Sequence, residues 1–415
     1  MRFTRREWFS LAGFGTLTSV VSGLRAVAQE AVAERVARRI STVIREYEAQ
    51  GFHRTATAVD QVSGDWLADQ VVQAGLIPAL EPFPISRVDP MVNMLVVADR
   101  RIEGIPLFDA AFTPASGVRG RLGALNSNAE IGLAETAVNG AATGALGDAR
   151  RSSRHKAIVA ITQGRRPGLC PSNAESFLRP FGPPVLQVSS HDAAWLTEQA
   201  TRGAEVQFVA HAARTAATAN NVTAALQGAD QSLPPLVVMT PRSGWYWCGS
   251  ERGGGIACWL EIMRGLQETR PRRSVQFVAS SGHELGHLGI EAYIARRPGV
   301  VRNAAGWLHL GANIGAATEL SNNLLQASDD ELDAALSSAM KAVGLSIARR
   351  APRGNVPTGE AESVHRGGGR YVSAIGANAL FHHPNDRGPE AADPLSIAKF
   401  SAAFIAFARA VVGSA

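Results

Sequence analysis

The sequence predicts an α/β protein: a mixed, mainly parallel sheet covered by helices on both faces, interrupted by an inserted, mostly β segment. Three observations predict it. From about residue 216 onward, short apolar runs alternate with amphipathic helical patterns, the rhythm of a sheet buried on both faces. From about 91 to 215 the texture changes to short β-type runs broken by Gly, Pro and Ser. Ahead of that segment, two helical patterns stand alone.

Taken in order, residues 32–47 place Val32, Val36, Ile40, Val43 and Ile44 at helical spacing. Residues 63–74 put Trp66, Leu67, Val71 and Val72 on one face before the stop at Gly75. Within 91–215, strands are expected at 94–98, 157–162, 185–188 and 205–209, with one helix near 192–200. The α/β rhythm then predicts strands at 236–240, 274–280, 307–310 and 377–381. Helices are expected at 255–266, 288–295, 330–343 and 395–412. The resulting division is 1–28 an export signal, 29–90 an N-terminal helical part, 91–215 the β insert and 216–415 the main α/β domain.

At 415 residues the chain exceeds one average domain, and 46% apolar content excludes a disordered chain. No sustained heptad supports a coiled coil. The formal charge of +5 is carried almost wholly by arginine, since Lys156, Lys341 and Lys399 are the only lysines. Residues 1–28 hold Arg2, Arg5, Arg6 and Arg25 against Glu7, a net of +3, which leaves +2 for the remainder. No basic stripe with interleaved aromatics occurs, so nucleic acid is not an expected partner. The odd set Cys170, Cys248 and Cys258 has no C-x-x-C pair and reads as buried thiols.

The N-terminus carries paired arginines at Arg5 and Arg6, a moderately apolar stretch over 10–24, and Ala26-Val27-Ala28. This is the pattern of a twin-arginine export signal, and it predicts a periplasmic or secreted protein. The apolar stretch is too short and too rich in Gly, Ser and Thr for a stable membrane anchor.

Chemistry-bearing residues gather at predicted strand ends, where open α/β sheets place their ligands. His283-Glu284 follows the apolar run at 274–280, and Phe381-His382-His383-Pro384-Asn385-Asp386 closes a later one. Ser250-Glu251-Arg252-Gly253-Gly254-Gly255 opens a helix, so bare N–H groups and the helix dipole favour an anion there. Glu and His at three strand ends are what a metal-assisted hydrolase needs.

In that order, GGGIACWLEIMRGL, SVQFVASSGHELGHLGIEAYI and FHHPNDRGPEAADP resemble the zinc-dependent aminopeptidase family. That family also contains glutamate carboxypeptidases, glutaminyl cyclases and the transferrin receptor. The middle segment, with PFGPPVLQVSSHDAAWL followed by ATANNVTAAL, is similar to a protease-associated domain. The resemblance covers nearly the whole chain after the signal. It implies hydrolysis of a peptide or amide bond, with a peptide or small amide or carboxylate substrate.

Several positions depart from the family pattern. Its His-x-Asp turn is replaced by Pro241-Arg242-Ser243-Gly244, its general-base Glu by His283, and a later Asp by Gly311. The resemblance leaves Glu251, Glu284 and His382 as ligands for one zinc, with Asp386 orienting His382 or bracing its loop. A centre with no metal is the equal alternative. In the one-zinc reading His283 is the proton-handling residue. Arg242 and Arg252 are candidates to hold a carboxylate or oxyanion, and His365 is a candidate to line the pocket.

Two further readings stand beside this one. The transferrin receptor shows that the fold can lose catalysis and serve as a binding protein. His283-Glu284-Leu285-Gly286-His287 also spells H-E-x-x-H, whose two imidazoles share a face only on a continuous helix. Gly282, Gly286 and Gly289 argue against that helix. His53, His155, His191 and His211 read as structural or surface residues. Trp245, Tyr246 and Trp247 are either a packed loop or a substrate wall, and no G-x-S-x-G elbow supports a serine hydrolase.

Overall fold

A computed structural model describes residues 31–414; the arginine-paired signal lies outside them. Helix α1 occupies residues 31–48, and α2 runs Ala58–Gln73. Helix α2 begins earlier than its apolar pattern suggests because Thr57 caps it, its hydroxyl accepting the Asp60 N–H. Leu67 and Val71 are buried, but Val72 points to solvent.

Two long strands, β1 (Pro78–Val97) and β7 (Glu205–Leu226), pair antiparallel along nearly their whole length, with a bulge between Pro90 and Val92. They run unbroken past residues 91 and 215. Sequence alone indicated only their 94–98 and 205–209 ends. Pro78, Pro82, Pro84 and Pro90 looked like breakers, yet they are spaced by even numbers, so all four missing N–H groups face one edge. In this stretch β7 is the only strand neighbour of β1 among the described residues, and proline is tolerated where the edge needs no donor.

Between them lie β2 (Arg100–Pro106), β3 (Val118–Ala124), β4 (Ile131–Ala137), α3 (Gly144–Ser152), β5 (Ala157–Gln163), β6 (Val185–Ser189) and α4 (Ala193–Thr201). Strands β3, β4, β5 and β6 are parallel neighbours. Leu95, Ile131, Val159, Ile161, Leu186 and Phe208 form a core of their own there. Helix α3 was not anticipated; its sequence GALGDARRS has little apolar periodicity, and Leu146 anchors it.

The remainder contributes β8 (Leu236–Pro241), α5 (Gly253–Gln267), β9 (Val275–Ser280), α6 (Leu288–Ala295), α7 (Val300–Asn303), β10 (Gly306–Leu310) and β11 (Leu324–Ala327). Then follow α8 (Asp330–Ala342), β12 (Arg349–Arg350), α9 (Ala361–Arg366), β13 (Tyr371–Ile375) and α10 (Pro394–Val412). The sheet order here is β7-β9-β8-β10-β13-β11-β12, with β9, β8, β10 and β13 parallel. The C-terminal ends of these four strands therefore open on one side.

The strand expected at 377–381 is displaced to Tyr371–Ile375, and 377–381 is a turn that leads to His382 at φ +56°. Helix α5 is buried on nearly every side, as a helix apolar all round must be. Helix α10 is long and apolar enough to span a bilayer, but Ile397, Phe400, Phe404 and Phe407 bury its inner face against the central core. The three cysteines are free and buried.

Candidate active site

The strand ends open into a cavity of about 690 Å³. One wall comes from the inserted strands, through Asn139, Thr143, Arg165, Asn173 and Glu175. The other comes from the main sheet, through His283, His287, His309, Asn313, Glu360 and Asn378.

At its base lies the Glu360 carboxylate, fully buried. His283 Nδ1 is 2.8 Å from its Oε1, and His309 Nε2 is 3.1 Å from its Oε2. Burial alone would raise this acid, but the adjacent His283, His309 and His287 outweigh it and hold the carboxyl well below its usual range. An ionised carboxylate only accepts, so both imidazoles must donate to it. That assigns the tautomers. His283 carries its proton on Nδ1, which leaves the lone pair on Nε2 for a group in the cavity. His309 carries its proton on Nε2, and its Nδ1 accepts from the Ser373 hydroxyl at 2.8 Å. Burial lowers His287 to about 4, so it is neutral near neutral pH.

The local chain explains this convergence. After β9, Gly282 at φ +87° turns the backbone into a single 3-10 turn over His283–Leu285. Gly286 at φ +78° and His287 at φ +61° then reverse it before α6 starts. The H-E-x-x-H string is therefore no continuous helix. Even so, the left-handed pair Gly286-His287 swings the second imidazole back, and the two ring centroids stand 5.1 Å apart.

The zinc set expected from the family resemblance does not gather. Glu284 is engaged by three donors: Thr55 N and Thr55 Oγ1 each donate to Oε1 at 2.7 Å, and Ser243 Oγ donates to Oε2 at 2.7 Å. Glu251 is committed to Arg252, whose Nη2 lies 2.6 Å from Oε1. Burial pushes Glu251 up, but Arg252, His382 and His283 together bring it below the usual carboxylate range. His382 donates from Nδ1 to the Pro171 carbonyl at 2.6 Å, while its Nε2 has no hydrogen-bond partner among the described residues and stands 3.5 Å from Glu251. Among the described residues, the group of three or more His, Cys, Asp or Glu side chains whose donor atoms all lie within 4.8 Å of one another is His283, His287 and Glu360.

The other expected site residues also fall elsewhere. Arg242 is buried, 2.8 Å from Asp60 Oδ1, and donates to the carbonyls of Asp60 and Asn220 at 3.0 and 2.5 Å. Arg252 donates through Nε to the Ser243 carbonyl at 2.8 Å. Neither guanidinium lines the cavity, so they are internal counter-charges rather than substrate contacts. Two cations at these positions, each with its own carboxylate, do not fit a metal pair. His365 is not on a loop but in α9, 3.3 Å from the Tyr371 hydroxyl and away from the cavity. Asp386 braces the loop: it accepts the N–H groups of Ser250 and Glu251 at 3.2 and 2.9 Å and an amide proton from Asn378. Burial, with Glu251 close by, raises Asp386 to about 7.

Trp245 and Tyr246 form a packed loop, bonded to Asn173 and to the Leu169 carbonyl at 3.1 Å each. His53, His155 and His211 bond backbone carbonyls. Sequence reasoning passed over His309 and Glu360. His309 sits at a strand end, a usable signal, but Thr358-Gly359-Glu360 carries no motif. His287 was visible only through a pattern whose required helix is absent.

Residues 251–407 match the sequence profile of peptidase family M28. A search of curated proteins finds no match. Among solved structures, a zinc aminopeptidase from Bacillus subtilis superposes with a TM-score of 0.75 at 16% identity, over 91% of this chain and 95% of its own. A peptidase M28 precursor from Shewanella amazonensis gives 0.73 at 16% identity, over 92% and 96%. An aminopeptidase from Aneurinibacillus gives 0.68 at 15%, over 92% and 95%. At such identities the likeness is one of fold, and it extends over the inserted strands as well. Residues 251–407 thus match the peptidase family M28 profile, and the chain shares the fold of solved zinc aminopeptidases.

Proposed function

We propose that this protein hydrolyses a peptide or small amide bond in the cavity between the inserted strands and the main sheet, with His283 handling the proton. One observation carries the reading. Glu360, buried and ionised, fixes the His283 tautomer through a 2.8 Å bond, and His283 lines the cavity. A carboxylate behind an imidazole orients it and favours its protonated form, as in other base-and-orienter pairs. His283 Nε2 takes a proton from an attacking water and returns it to the leaving nitrogen. His309, tied to Ser373, holds the far side of Glu360 in place.

No step in this scheme passes through a metal at the family's positions, a reading supported by the Arg242–Asp60 and Arg252–Glu251 ion pairs and by the three donors on Glu284. The single zinc expected on Glu251, Glu284 and His382 is not carried forward. The segment 91–215, protease-associated-like in sequence, supplies one wall of the cavity in this reading. The paired arginines and A-x-A end support export to the periplasm or beyond; N-terminal sequencing of protein recovered from the producing cells checks cleavage after residue 28.

The test uses the mature chain against a panel of aminoacyl-amide and dipeptide substrates. His283→Ala should lower kcat by about 10²–10⁴-fold for any substrate turned over. Turnover that survives His283→Ala unchanged refutes the assignment. The second reading, a non-catalytic binding member of the fold, is favoured by the two internal ion pairs at the family's metal positions. It predicts no turnover of any panel member.

A further inference from the structure

We propose that His283, His287 and Glu360 form a mononuclear site for a zinc-type divalent cation, separate from the positions at which the family resemblance places its metals. It goes beyond the hydrolase reading, whose cavity and His283 it shares. Three protein donors, two imidazoles and one carboxylate, converge on one side of an open cavity. That is the donor set of open zinc sites, in which the fourth position faces solvent or substrate. All three residues are buried, so the site is not a surface acidic cluster.

Each donor has been prepared in a way a structural role alone does not require. Among the described residues, Glu360 has three imidazoles about it and no Lys or Arg hydrogen-bonded to its carboxylate, unlike Asp60, Glu251 and Glu261, which each pair with arginine. His309 bonds Glu360 from behind and is itself held by Ser373, the outer support that metal-bound carboxylates usually have. His287 adopts a left-handed backbone conformation, uncommon for a non-glycine residue, that turns its ring toward His283.

In the described state a proton on His283 Nδ1 bridges to Glu360 Oε1 at 2.8 Å. Loading a cation releases that proton to solvent, and small side-chain rotations bring donors spread over 4.8 Å to the roughly 3.4 Å mutual spacing of tetrahedral ligands with bonds of about 2.1 Å. With the cation bound, His283 is a ligand and no longer available as the base. The metal-free and metal-loaded centres are thus two alternative forms of one group.

The experiment treats the purified mature chain with a chelator, removes the chelator, and titrates cobalt(II) chloride while recording visible absorption and bound metal per chain. The expected result is one equivalent with a tetrahedral-type visible band, competed away by zinc. The band is lost in His287→Ala and in the near-isosteric Glu360→Gln, and kept in His382→Ala. Ser373→Ala should weaken binding by about 10-fold. Thermal unfolding of each variant separates loss of the site from loss of the fold. Absence of a band in the wild-type protein overturns the proposal, as does cobalt that persists in His287→Ala and Glu360→Gln but is lost in His382→Ala. Cobalt bound as expected, with no hydrolysis by either the chelated or the loaded protein, upholds the site and sinks the hydrolase reading; hydrolysis by a chelated protein that never binds cobalt does the reverse.

Discussion

Replacing Arg242 with methionine tests whether this chain has exchanged a metal position for an internal ion pair. The arginine and Asp60 are each about 1% exposed and lie 2.8 Å apart. The same guanidinium also serves the carbonyls of Asp60 and Asn220. Methionine keeps much of the volume but leaves the Asp60 carboxylate without its cation, held only by the Ala56 N–H at 2.7 Å and the Ser281 hydroxyl. Breaking a buried pair from one side costs about 3–5 kcal/mol. Burial already raises Asp60, and Arg242 is the largest influence opposing that rise, so the variant protein should also retain a proton at Asp60. The double substitution Arg242→Met with Asp60→Asn removes the stranded charge and should recover about 1–3 kcal/mol relative to the sum of the two singles. Equilibrium denaturation of the four proteins gives the cycle. A loss under about 0.5 kcal/mol for Arg242→Met, or strict additivity, refutes the internal-pair reasoning, since that is how an exposed or substrate-facing arginine behaves.

Asp386 predicts a pH effect of definite sign. Its folded value of about 7 lies above its ordinary 3.8, so the folded state holds this proton more tightly. That contribution is full below pH 4 and is lost as pH rises toward 7, by on the order of 4 kcal/mol; the stability difference between wild type and Asp386→Asn, measured at pH 4 and pH 8, should change accordingly. Glu360→Gln leaves one acceptor for two imidazole N–H groups, so any turnover should fall by about 10²-fold or more through kcat with little change in KM, read by steady-state kinetics. Gly255→Ala brings a methyl to 2.6 Å from Thr240 Oγ1, which donates to the Leu310 carbonyl; thermal unfolding should show a loss of about 1–3 kcal/mol.

Periodicity located most of the regular structure of the main domain, because burial on both faces of a sheet leaves unambiguous apolar runs such as 236–240 and 275–280. It missed most of β1, where prolines are compatible with an edge strand only through a pairing that sequence spacing does not display. It also misplaced β13, because the turn sequence ANALF that follows carries as many apolar residues as the YVSAI strand itself.

The site divides in the same way. His283 was legible as a polar residue just past a buried strand, and the spelling of H-E-x-x-H set His287 beside it in sequence. The family resemblance offered Glu251, Glu284 and His382 by position, yet position does not reveal which partner a carboxylate takes. Arg252 claims Glu251, while Thr55, far away along the chain, and Ser243 claim Glu284. Glu360 came to the centre only because a left-handed turn at Gly286-His287 and the packing of the loop before α9 bring together residues about 75 positions apart. By itself the sequence determined the sheet, its helices and the strand ends that carry chemistry, because these follow from local periodicity and burial. Tertiary structure decided which charges neutralise one another, because pairing inside a protein depends on distances that no spacing along the chain encodes.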